Sequence, residues 1–84
     1  MTKSEFKELT LAEQGLELIT SGKHLTQIKK GDQLLNLYSI YDFFVEVYYS
    51  IHSDKIDRID IVYDLSRIDD YIDNNQKEEK PHLN

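Results

Sequence analysis

The chain has 84 residues, 16 acidic against 10 basic, a net charge of −6 and no cysteine. That excludes a disulfide scaffold and a cysteine-ligated zinc site. It also argues against nucleic acid as a partner, because phosphate binding needs clustered cations and the only adjacent basic pair is Lys29-Lys30.

A domain of this size buries roughly 60–65% of its unfolded surface, so its core is thin. The acidity is uneven. Residues 1–42 carry 5 basic and 6 acidic groups, and residues 43–84 carry 5 and 10. Such a balance favours a basic protein partner electrostatically and also serves solubility. Met1-Thr2-Lys3-Ser4-Glu5 lacks the apolar core of a signal peptide, and no apolar run approaches membrane-spanning length. A soluble cytoplasmic protein with no membrane partner is the expectation.

The first predicted element is a helix from Thr10, where Thr10-Leu11-Ala12-Glu13 has the form of a capping box, to a stop at Gly22 in a left-handed conformation. Leu11, Ala12, Leu16, Leu18 and Ile19 share one broad face, opposite Glu13, Glu17 and Thr20. That apolar face is expected to cover a sheet, with Gly15 permitting close approach. Residues up to about Ser4 read as loose, while Phe6 and Leu9 are expected to tuck against the domain.

Strands follow at Leu25–Lys29, Leu34–Tyr38, Phe43–Ile51 and about Ile56–Tyr63, the first pair joined by a turn at Gly31-Asp32. Register follows from the apolar pattern, since a slip of one residue exchanges the two faces. Three-residue loops at Ile40-Tyr41-Asp42 and Ser53-Asp54-Lys55 set Leu37 opposite Val45 and Leu35 opposite Val47. They also set Val47 opposite Ile61 and Val45 opposite Tyr63. The predicted inner face is then Ile28, Leu35, Leu37, Phe43, Val45, Val47, Tyr49, Ile59, Ile61 and Tyr63.

Ser66-Arg67-Ile68-Asp69 predicts the capped start of a short helix with a stripe of Leu65, Ile68 and Ile72. Residues 75–84 are too polar to offset the entropy of ordering them and are expected to form a loose tail. The fold class expected is α+β: an N-terminal helix on a four-stranded antiparallel meander, then a short helix, as one domain over residues 1–74.

The runs Asn36-Leu37-Tyr38, Phe43-Phe44-Val45-Glu46-Val47-Tyr48-Tyr49 and Ile56-Asp57-Arg58-Ile59 resemble a family of short bacterial proteins of unknown function. The resemblance covers roughly residues 11–72 and implies no activity, cofactor or site residue.

The candidate binding surface is the predicted outer face, which displays Tyr38, Phe44, Glu46, Tyr48, Arg58 and Asp60. Aromatic anchors with a hydrogen-bonding tip recur at recognition sites. His52-Ser53-Asp54 has the residue types of a hydrolase triad, but a triad is spatial and these three sit in a hairpin loop. The acidic series from Asp54 to Asp73 lacks the spacing of a calcium loop, and His24, His52 and His82 lack zinc spacing. Glu46 and Asp60 are a carboxylate pair that could lie near each other, but they are expected on an open sheet rather than in a desolvated cleft, which argues against acid–base work. A non-enzymatic protein-binding module without cofactor, of inhibitor, immunity or regulatory type, is the expected function. A self-associating homodimer is the alternative, with a small-ligand domain third.

Overall fold

The computed structural model describes the backbone of residues 1–79 and the side chains of residues 1–72. The expected loose tail at 75–84 falls on positions whose side chains or whole placement lie outside the described residues. The chain runs α1 (Lys3–Glu8), α2 (Leu11–Ser21), β1 (Gly22–Lys30), β2 (Gln33–Ile40), β3 (Phe43–Ser50), β4 (Lys55–Ile61) and α3 (Ser66–Glu79). The strands form one antiparallel meander in the order β1-β2-β3-β4, the α+β architecture that the sequence predicts.

Two capping boxes begin the chain. At α2, Thr10 Oγ1 accepts from the Glu13 N–H at 3.1 Å, and Glu13 Oε1 accepts from the Thr10 N–H at 2.8 Å. Thr2-Lys3-Ser4-Glu5 repeats the pattern and starts α1 the same way, with bonds of 3.2 and 2.8 Å. Residues 2–8 are therefore ordered, although the composition of the first four predicts a loose start. Phe6 is fully buried, and its ring meets Phe43 edge-on with centroids 5.8 Å apart.

The sheet is covered from both sides, not one. Phe6, Leu18, Ile40, Phe43, Val45, Val47 and Ile59 form a core beneath α1 and α2. Ile28, Leu35, Leu37, Tyr48, Val62 and Tyr71 form a second core beneath α3. The predicted inner face is thus split: Ile28, Leu35 and Leu37 belong to the opposite side from Val45 and Val47.

The cause is the turn between β2 and β3. Ile40 pairs with Phe43 across the two residues Tyr41-Asp42, so Tyr38 faces Val45 and Leu37 faces Glu46. Tyr41 takes a φ of 53°, an uncommon conformation for a non-glycine residue, which makes so tight a connection feasible. That one-residue change from the expected loop turns every β2 side chain over. At the next hairpin Val45 pairs with Ile61 and Val47 with Ile59, a slip of two from the expected register, which preserves the faces.

Gly22 is needed for room rather than for backbone conformation. Its φ of −92° is extended rather than left-handed, but a Cβ there would lie 2.7 Å from the Leu18 carbonyl oxygen. Gly22→Ala is expected to destabilise the fold by about 1–3 kcal/mol through overpacking. A urea unfolding midpoint no lower than that of the natural chain would contradict this.

Candidate functional site

The six predicted site residues do not share a face. Tyr38 lies on the α2 side, its ring edge-on to His24 at 5.1 Å between centroids. Phe44, Glu46 and Tyr48 lie on the opposite side, packed under α3. Arg58 and Asp60 stand opposite Tyr48 and Glu46 on the neighbouring strand, exposed or half-exposed.

Glu46 and Asp60 are direct cross-strand partners, the proximity that strand geometry suggested. Each carboxylate has its own arginine. Asp60 accepts from Arg58 Nε at 2.8 Å, and the Arg58 guanidinium lies 4.0 Å from the Tyr48 ring centroid. Glu46, only 3% exposed, accepts from Arg67 at 2.8 and 3.3 Å and from the Tyr71 hydroxyl at 2.7 Å. Arg67 and Tyr71 are four residues apart on α3, the spacing that puts both on one helical face. Arg67 also donates to the Tyr48 hydroxyl at 3.2 Å. A buried carboxylate satisfied this way fastens α3 to the sheet.

The fastening begins at the helix start. Asp64 Oδ1 accepts from the Ser66 N–H at 3.0 Å, which holds the Asp64 carboxyl below its ordinary range. Ser66 is the first helical residue rather than the cap.

Tyr71 gives the assembly a pH signature. Burial, then its hydrogen bond to Glu46, pushes the phenol well above its ordinary value of 10.0. The folded state keeps a proton that the unfolded chain releases, so stability falls once the pH rises past about 10, by up to about 1.4 kcal/mol per pH unit. Tyr71→Phe is expected to flatten this alkaline slope. Parallel slopes for the two proteins in urea unfolding between about pH 9 and pH 11 would contradict the assignment.

The open surface lies on the other side. Helix α2 presses Gln14 and Leu18 inward, and Gln14 Nε2 donates to the Phe6 carbonyl at 3.0 Å. Glu17 accepts from the Tyr41 hydroxyl at 2.5 Å. With the helix held in this rotation, Leu18 alone of the apolar residues expected on its buried face packs inward, and Leu11, Ala12, Leu16 and Ile19 are exposed. Leu16 is 61% exposed and Ile19 83%, and Ala12 completes an i, i+4, i+7 stripe with them.

Ile19, at the edge of this stripe, borders a part of the sheet that α2 leaves uncovered. Two adjoining depressions of about 170 and 270 Å³ share Tyr38, Val47 and Ile56. One is walled by Gly15 and Ile19 of α2; the other runs on over Gln27, Leu34, Asn36 and Tyr49. Gly15, expected to allow close packing, has nothing within 4 Å of where its Cβ would stand, so its backbone borders open space. The polar floor is internally bonded: Asn36 Oδ1 accepts from Gln27 Nε2 at 2.8 Å and lies 3.0 Å from His24 Nε2. The trough is therefore largely apolar, with one pre-satisfied amide cluster.

Sequence reasoning misses this surface because it assumes that an apolar helix face must face inward. The signal that locates it is Gln14, placed at i−4 from Leu18, whose side chain reaches Phe6 only from the buried face.

No helix among the described residues is long and apolar enough to cross a membrane. Comparison with protein-family models, with curated proteins and with solved structures finds no match, so function rests on geometry.

Proposed function

We propose that this chain is a non-enzymatic protein-binding module whose docking surface is the α2 stripe together with the trough beside it. The observation that carries this reading is the exposure of Leu16 and Ile19 on a helix whose other side is packed. Apolar side chains presented at helical spacing beside an apolar groove match the way one helix seats against another protein. Glu46 and Tyr48 are assigned instead to holding α3, since the Glu46 carboxylate is consumed by Arg67 and Tyr71 and the Tyr48 hydroxyl accepts from Arg67.

The anchors are Ile19, Leu16 and Ile56, with Tyr38 and Tyr49 as floor. The polar edge supplied by Gln27 and Asn36 gives register rather than affinity. A library of helix-forming peptides with randomised apolar stripes, selected on the immobilised natural chain, tests the reading. Selected peptides are expected to bind the natural chain and to lose affinity for Ile19→Asp. Peptides that bind both proteins equally, or a selection that yields no binder, count against it.

A further inference from the structure

We infer that the occupant of this trough is a second copy of the same chain, seated by a two-fold axis so that α2 of each protomer lies in the trough of the other. This rests on the docking reading above and names its partner.

Size argues first. A stable interface removes about 800 Å² from each partner, roughly 20–30 residues a side. The three stripe residues fall far short of that, so an occupant must engage both the ridge of α2 and the sheet floor. A partner that presents its own ridge beside its own groove does so in one step, and this chain has both on one face. A two-fold contact needs a self-complementary patch, which an adjacent ridge and groove provide.

Charge argues second. On α2 Glu13 is exposed while Glu17 is taken up by the Tyr41 hydroxyl, and of the β1 lysines the register puts Lys29 on the trough side and Lys23 and Lys30 on the α3 side. Lys29 pairs with Leu34, and Leu34 with Tyr49, so Lys29 rises from the trough side of the sheet. Glu13 stands exposed on α2, clear of its inward side. Laying one protomer's α2 over the other's trough brings Glu13 of each protomer toward Lys29 of its partner, twice over. The opposed arrangement, trough on trough with the strands facing, would bring lysine to lysine. Complementary rim charges of this kind set orientation and suppress wrong pairings.

The packing also accounts for Gly15. An open helix backbone facing the trough leaves room for the neighbouring α2 to approach side by side. The assembled dimer would have two sheets outside, the pair of α2 helices between them, and each α3 on an outer surface.

Sedimentation equilibrium of the full chain from micromolar to millimolar concentration tests the inference. The natural chain is expected to show a reversible monomer–dimer equilibrium. Ile19→Asp and Leu16→Asp, both at exposed positions, should raise the dissociation constant on the order of 100-fold, because each substitution enters the interface twice. Lys29→Glu should raise it roughly tenfold. Leu65→Asp, an exposed apolar position outside the trough, should leave it unchanged. Circular dichroism of each variant verifies the fold.

A natural chain that stays monomeric throughout overturns the second copy as occupant. If selected helical peptides still discriminate against Ile19→Asp, the docking reading survives that result; if they do not, both fall. A dimer indifferent to Ile19→Asp, Leu16→Asp and Lys29→Glu places self-association elsewhere and overturns the inference as well.

Discussion

Replacing Phe6 by alanine is expected to cost about 3–5 kcal/mol, the range for truncating a fully buried aromatic ring. The residue precedes the helix–sheet unit that the sequence most clearly announces, yet it has no exposed surface and fills the space against Phe43. Its carbonyl also takes the hydrogen bond that fixes Gln14, and with it the rotation of α2. For 84 residues the total stability is on the order of 4–12 kcal/mol, so this single change removes a large share. Urea unfolding is the measurement. Phe6→Leu should recover most of the loss, because a branched aliphatic side chain refills part of the volume. A loss below about 1 kcal/mol for Phe6→Ala would mean that α1 is a dispensable flap, contrary to its place in the core.

The second large effect is at Glu46. Glu46→Ala removes the acceptor of both the Tyr71 hydroxyl and the Arg67 guanidinium, leaving Tyr71 buried with an unpaired donor. Arg67→Ala does the reverse and leaves the carboxylate with Tyr71 as its nearest partner. Breaking a fully buried pair costs about 3–5 kcal/mol. The Arg67 side chain is 39% exposed, so solvent screening lowers the expectation to about 2–3 kcal/mol for either change. Replacing both residues together should cost clearly less than the sum, since the surviving charge is what each single change penalises. The double-mutant cycle is read by urea unfolding. Additive losses would mean that Glu46 and Arg67 do not act as one fastening for α3.

Much of the fold is legible in the sequence. The Gly31-Asp32 turn sets Ile28 opposite Leu35 as the apolar pattern requires, and the Thr10 capping box starts α2 where it is expected. The same signal stands at Thr2-Glu5, but only two apolar residues follow it before the next break, too few to announce a helix by periodicity.

The register of β2 is not legible, for a physical reason. Leu34-Leu35-Asn36-Leu37-Tyr38-Ser39-Ile40 is apolar on both faces, so neither choice of loop exposes a hydrophobic set to water. Phe43-Phe44-Val45-Glu46-Val47-Tyr48-Tyr49 has the same character. Two such strands side by side signal a sheet covered on both sides, and α3 is the cover that the polar C-terminal composition conceals. The division of the predicted surface is a direct consequence: a single residue of loop length moves Tyr38 to one side and leaves Tyr48 on the other.

The exposure of α2 is harder still to read. The apolar residues of an amphipathic helix mark out one side, and in an isolated domain that side packs inward. Here Gln14 and Glu17 fix the rotation through Phe6 and Tyr41, both outside the helix. Polar contacts made outside the helix thus turn an apolar face outward, against the usual inward packing.

Methyl-group relaxation by an inert, soluble paramagnetic agent, measured on a dilute sample where any self-association is dissociated, tests this arrangement most directly. Strong broadening at Leu16, Ile19 and Ile56, with protection of Ile28, Leu35 and Leu37 beneath α3, is the expected pattern. Shielded Leu16 and Ile19 methyls together with strongly broadened Leu35 and Leu37 would contradict it, placing the helix and the sheet in the one-sided packing that the sequence alone suggested.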